Sequence, residues 1–222
     1  MPLEPGVYGL SQMFGDGIDL NYTLTIPEGY DPERPTPLVL ALHYGWNGLE
    51  PPPFYGQGFL GILISPALSE LGAILVAPDC PAQDWANPTS ESVVMALLDF
   101  IQENYTIDEG KILITGYSLG GAGTWYIAAR HQARFSAAIP MAGWPDRESL
   151  DLVQELPLYV IHSRQDQVVP IGETEQAVEV LKDRGVAVEF VVVTGIQHYE
   201  TRSFGGPLRE AIPWIKATWG EP

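Results

Sequence analysis

ITGYSLGGAG, residues 114–123, decides how the rest of the chain is read. A β-branched run, KILITGY (111–117), carries Ser118 into a turn with Gly116 two residues before it and Gly120 two after. The stretch that follows, LGGAGTWYIAAR, has the composition of a helix opening on small residues. Gly116-Tyr117-Ser118-Leu119-Gly120 thus fits G-x-S-x-G in a strand-to-helix context. There the serine is held in a strained corner and its neighbours are glycine because a side chain would clash. The helix N-terminus adds unpaired N–H groups and a partial positive field beside the hydroxyl. Ser118 is expected to be a nucleophile.

Outward from this corner the pattern alternates. PLVLALH (37–43), AILVAPD (73–79), SAAIPMA (136–142), PLYVIHS (157–163) and VEFVVVT (188–194) are short continuous apolar runs, as expected of strands buried on both faces. Between them lie helical stretches. Val94, Leu97, Leu98 and Ile101 make one apolar stripe within 91–104, and Thr174, Ala177, Val178 and Leu181 do so within 173–184, where Gly185 follows as a C′ residue. VYGLSQM (7–13) and IDLNYTLTIP (18–27) read as an antiparallel hairpin around the turn FGDG (14–17). The expected fold is α/β: about eight strands in a mostly parallel sheet, an N-terminal antiparallel hairpin, five or six helices on both faces, and one domain over 1–222.

A serine needs a base to take its proton, and the chain offers four histidines. His43 ends a strand and is read as shaping its loop; His131 closes the helix after Ser118; His162 lies within a strand. His198, in TGIQHYE, follows the last strand and so reaches the carboxyl edge of the sheet, where Ser118 lies. Asp166, in SRQDQVVP, follows the preceding strand on the same edge and is the expected partner of the imidazole. Asp146 is the second candidate, while Asp151 and Asp183 fall in helical stretches. The order Ser118, Asp166, His198 is the one this kind of fold uses.

These residues give the chain its resemblance to α/β-hydrolases, over about residues 18–218. GYSLGGAGTWYIAARHQARFSAAIPMAG (116–143) and PDCPAQDWANP (78–88) resemble small carboxylesterases and predicted peptidases, including feruloyl-esterase-like and polyhydroxyalkanoate-depolymerase-like enzymes. The resemblance implies an oxyanion hole made by the Leu119 N–H and a second donor in LHYGWNG (42–48), where Tyr44 stands in place of the family's glycine. By register that donor is Gly45, with Tyr44 or Trp46 open as alternatives. Relatives often insert a lid after the strand that follows the nucleophile helix. Here Gly143 to Leu156 has room for one helix, so no large lid and an open cleft are expected. Trp46, Trp85 and Trp144 fall in loops at the catalytic edge; with Tyr117 of the elbow they are the candidate substrate-binding aromatics, although a tryptophan in a loop is more often a packing plug. Trp125 is expected in the core.

Composition narrows the remainder. A formal charge of −17 disfavours nucleic acid and anionic membranes as partners. Cys80 is the only cysteine, which excludes an internal disulfide and a cysteine-based zinc site. Ser65, Pro66, Ser69 and Glu70 interrupt the apolar region 59–78, so it is not expected to span a membrane. No Walker loop, dinucleotide glycine pattern or metal-ligand spacing appears, and no cofactor or metal is expected. MPLEPGVYGL lacks the features of a signal peptide, so a cytoplasmic location is expected, or a secreted one had a leader been removed. The sequence points to a carboxylic-ester hydrolase acting on a small-molecule ester. A peptidase of the same fold and a binding protein that keeps only the fold stay open.

Overall fold

The computed structural model describes residues 4–14, 17–48 and 50–221. Its strands are β1 (Gly6–Phe14), β2 (Ile18–Ile26), β3 (Thr36–Leu42), β4 (Ile74–Pro78), β5 (Ile107–Tyr117), β6 (Ala137–Met141), β7 (Leu158–Ser163) and β8 (Val188–Val193). They form one sheet in the order β1-β2-β4-β3-β5-β6-β7-β8. β1 and β2 make the expected antiparallel hairpin, and β2 also runs antiparallel to β4. From β4 to β8 every pairing is parallel. Residues 15 and 16 of the expected FGDG turn lie outside the described residues.

The helices are α1 (Tyr55–Phe59), α2 (Ser65–Leu68), α3 (Pro88–Asn104), α4 (Leu119–Arg130), α5 (Arg147–Leu152), α6 (Ile171–Asp183), α7 (Gly205–Glu210) and α8 (Ile212–Thr218); a π-helical stretch, Leu60–Ile64, joins α1 to α2. Successive side chains of each strand point to opposite faces, which splits the core in two. Leu38, Leu40, Leu42, Ile112, Ile114, Leu158 and Val160 pack with α3, α4 and α6. Val39, Ala41, Leu113, Tyr117, Tyr159 and Ile161 pack with the α1–α2 region, α7 and α8. With both faces covered, a continuous apolar strand is the economical solution.

Some boundaries differ from expectation for local reasons. α3 begins at Pro88, because Asn87 caps it by accepting from the N–H groups of Thr89 and Ser90, and proline suits the first turn. α6 begins at Ile171, and Gly185 (φ 84°) closes its C-terminal turn as expected. β8 is only half-buried rather than buried throughout, since it is an edge strand paired with β7 alone. The region 55–71 forms helical turns that its sequence spacing does not predict; its apolar residues Phe59, Leu60, Leu63, Ile64, Ala67, Leu68 and Leu71 lie on one buried stripe. Between β6 and β7 the chain holds α5 alone, in keeping with the expected absence of a large lid. Among the described residues no helix is long and apolar enough to cross a membrane.

Candidate active site

The elbow forms as its composition demands. Ser118 has φ 55° and ψ −115°, a backbone conformation that costs a non-glycine residue about 1–3 kcal/mol. Two hydrogen bonds hold it there: the Ser118 N–H donates to Met141 O (2.9 Å), and Ser118 O accepts from the Ala122 N–H (3.0 Å). The glycines around it are demanded by close approach. A Cβ on Gly120 would lie 1.9 Å from Leu42 O, and one on Gly116 would lie 2.2 Å from Gly120 O. β5, α4 and the end of β3 thus meet backbone to backbone. The Leu119 N–H, at the first position of α4, has no acceptor within the helix.

Three parallel strands deliver the expected constellation to one edge. Ser118 Oγ lies 2.8 Å from His198 Nε2, and His198 Nδ1 lies 2.6 Å from Asp166 Oδ2. A carboxylate can only accept, so Nδ1 carries the proton and Nε2 is left to accept from the serine hydroxyl. The other oxygen, Oδ1, accepts from the N–H groups of Val168 (2.9 Å) and Val169 (2.7 Å). Asp166 and His198 are both buried, which strengthens these bonds relative to water.

The two loops are tied together by residues on either side of the acid. Ser163 Oγ donates to Ile196 O, Gln165 Oε1 accepts from the Gly195 N–H (2.7 Å), and Gln167 Oε1 accepts from the His198 N–H (3.3 Å). Tyr117 hydroxyl donates to His198 O at 2.6 Å. The backbone of His198 is therefore held on both its N–H and C=O sides. Burial pushes the Tyr117 phenol well above its usual pKa, so it stays a donor. Nothing in the sequence marks Tyr117 or the two glutamines for this positioning role. Position x of the elbow was visible, but its reach to a carbonyl 81 residues away was not.

The remaining histidines separate cleanly. His131 pairs with Glu91 across α4 and α3 (2.8 Å). His162 is buried in β7, donates from Nε2 to Val169 O (2.9 Å), and has its pKa lowered by burial. It also lies 3.7 Å from Asp166 Oδ2, a proximity that strand position alone did not indicate. His43 is wholly buried at the end of β3. Asp146, the alternative acid, is engaged elsewhere: it caps α5 through Ser149.

A cavity of about 700 Å³ opens over Ser118 and His198. Tyr44, Gly45, Trp46, Tyr55, Tyr117, Val168 and the segment Tyr199–Ser203 line much of it. Two of the aromatic assignments are corrected. Trp85 is 0% exposed, donates from Nε1 to His43 O (2.9 Å) and packs on the Cα of Gly123, so it is a packing plug. Trp144 is 38% exposed but does not line this cavity. Tyr117 borders it as a buried residue whose hydroxyl is already engaged. Trp46 lines it. The additional aromatic walls come from Tyr55, at the start of α1, and from Tyr199, which is 79% exposed beside His198. Adjacency to His198 would have pointed to Tyr199; nothing near Tyr55 in the sequence carried such a signal.

A mostly parallel sheet with an antiparallel N-terminal hairpin, and a serine elbow on its carboxyl edge, define an α/β-hydrolase. A thermostable esterase of known structure superposes with a TM-score of 0.81 at 24% identity, covering 95% of this chain and 62% of that one, a likeness of fold. The chain belongs to the dienelactone hydrolase family, whose model matches residues 82–204. Feruloyl esterase C of Emericella nidulans is 30% identical over 131 residues, 55% of this chain and 46% of its own length. A putative carboxymethylenebutenolidase of Aquifex aeolicus is 26% identical over 186 residues, covering 75% of this chain and 78% of that protein. The chain spans about half the length of the Emericella relative.

Proposed function

We propose that this protein is a serine carboxylic-ester hydrolase that works through an acyl-enzyme on small or aryl-substituted esters. The observation that carries the proposal is the unbroken hydrogen-bond chain from Asp166 through His198 to Ser118, at 2.6 and 2.8 Å. Ser118 Oγ attacks the ester carbonyl carbon while its proton passes to His198 Nε2. The Asp166 carboxylate stabilises the imidazolium, and the N–H groups of Leu119 and Gly45 donate to the oxyanion. His198 then gives the proton to the departing alcohol. Water attacks the acyl-enzyme with the same imidazole as base, which returns Ser118. The aromatic lining from Tyr44, Trp46 and Tyr55 favours a flat or aryl acyl group, in keeping with a relative named for feruloyl esters.

The test is turnover of p-nitrophenyl esters. We expect a burst of one p-nitrophenol per active site where deacylation is slow, and a loss on the order of a million-fold in kcat for Ser118→Ala. Near-normal turnover by that variant would remove Ser118 from the mechanism. A matched p-nitroanilide separates ester from amide hydrolysis, and aryl, alkyl and lactone esters in parallel define the acyl preference.

A further inference from the structure

His162 lies wholly buried in β7, four residues before Asp166, and moves no proton in the proposed reaction. Its Nε2–H donates to Val169 O at 2.9 Å; burial lowers its pKa, so at neutral pH the ring is uncharged and Nδ1 is an acceptor. The Thr174 hydroxyl, in α6, donates to Nδ1 at 2.9 Å and also lies 3.2 Å from Gly143 O. His162 shares a face of β7 with the core residues Leu158 and Val160, where an imidazole is costly to bury unless both nitrogens are bonded, and both are. The ring has one tautomer and one orientation.

We infer that His162 is a positioning residue for Asp166: by holding the Val169 carbonyl it fixes the acid turn and keeps Oδ2 aimed at His198. The inference rests on the ester-hydrolase proposal. The backbone hydrogen bonds of Asp166 run from the Val168 and Val169 N–H groups to Oδ1, and from its own N–H to Ser163 O at 3.3 Å. They close the turn 163–169 on itself and leave its place against the sheet open. Val169 supplies that reference. Its N–H is taken by Asp166 Oδ1 (2.7 Å), its C=O is taken by His162, and Pro170 after it has no N–H to offer the turn. His162 Nε2 stays 3.7 Å from Asp166 Oδ2, too far for a hydrogen bond, so that oxygen is left to His198 Nδ1 at 2.6 Å. Beyond His162 the contacts continue toward the nucleophile: Thr174 reaches Gly143, and a Cβ on Gly143 would lie 2.4 Å from Gly121 C in α4. The acid is thus referred to the helix that starts at Ser118 by a route that bypasses His198.

His162→Leu deletes the donor and keeps an apolar filler, whereas His162→Gln returns an N–H near the place of Nε2. With a p-nitrophenyl ester, His162→Leu should lower kcat on the order of 10- to 100-fold with KM little changed, and His162→Gln should recover most of that loss. Two further readings separate positioning from packing. The far-downfield proton NMR resonance of the His198–Asp166 hydrogen bond should move upfield in His162→Leu and return in His162→Gln. In an Asp166→Asn background, where the carboxylate is already gone, His162→Leu should cost less than about threefold more. Equal kcat for the two His162 variants, an unmoved resonance, or a full multiplicative loss in the double variant overturns the inference. Should His162→Leu fail to fold by circular dichroism, Thr174→Val, which removes the hydroxyl that orients the ring, is compared with Thr174→Ser, which keeps it. Thr174→Val should be the slower in kcat by at least about fivefold, and equal rates overturn the inference. Ser118→Ala run alongside separates the two claims. If it is inactive, a failed His162 or Thr174 comparison counts against this inference alone; if it is active, the hydrolase proposal falls, and the resonance still reports whether His162 holds Asp166.

Discussion

Asp166 uses its two oxygens for two jobs, and that division makes its replacement informative. Oδ1 is held by the N–H groups of Val168 and Val169, while Oδ2 faces His198 Nδ1. In Asp166→Asn the carbonyl oxygen keeps the backbone donors, so the amide NH₂ faces Nδ1. His198 must then accept at Nδ1 and carry its proton on Nε2, where it blocks the serine. We expect kcat to fall on the order of 10⁴-fold with the fold intact, the size seen for the same change in another serine hydrolase. A loss below tenfold would mean that Asp166 does not set the tautomer. Ser118 makes a complementary case. Its positive φ costs stability, and glycine relieves it. Ser118→Gly should be inactive yet at least as stable as Ser118→Ala to thermal melting, despite the extra freedom of glycine in the unfolded chain. A lower melting temperature for Gly would show that the corner stores no strain.

At the scale of elements, helix starts and loop ties do most of the placing. Asn87 satisfies two orphan N–H groups of α3. Asn87→Ala should cost about 1 kcal/mol, or roughly 2–4 °C in Tm for a chain of this size, read by calorimetry. The same stretch shows what was legible. Apolar runs of five to seven residues announced the strands, because a sheet covered on both faces needs them, and Gly185 announced the end of α6. The 55–71 region was not legible as helix, since its glycines, proline and π-helical turns blur the 3.6-residue period. Nor was the fate of Trp85. A tryptophan in a loop at the catalytic edge fits an aromatic wall or a packing plug, and the buried carbonyl that the Trp85 N–H meets decides for the plug.

For the whole molecule, buried imidazoles set how stability responds to acid. Burial lowers the pKa of His43 to about 4 and lowers that of His162 as well. Below about pH 6.5 the unfolded chain takes up protons that the folded chain refuses, so stability is full above that value and is lost as pH falls toward the folded pKa. For His43 alone the loss is on the order of 3 kcal/mol. Asp79 has the opposite sign: burial raises its carboxyl, so its contribution is present at low pH and is lost as pH rises through the folded value. Urea midpoints should fall between pH 7 and pH 5, and His43→Asn should flatten the fall. Equal slopes in the two proteins would exclude His43 as a cause.

What the sequence determined by itself was whatever local sterics and periodicity dictate: the alternating βα order, the serine corner with its glycines, and the chain order of nucleophile, acid and base. Parallel strands deliver their carboxyl ends to one edge, so loops 48 and 32 residues apart could be assigned to one site before any contact was seen. Tertiary structure alone decided which groups meet across that edge. It put the Tyr117 hydroxyl on the His198 carbonyl, His162 behind Asp166, and Trp85 inside the core. It also aimed the Tyr44 carbonyl at the buried ring of His43. Such pairings depend on side-chain direction and on the few ångströms between packed elements, quantities that no spacing along the chain encodes.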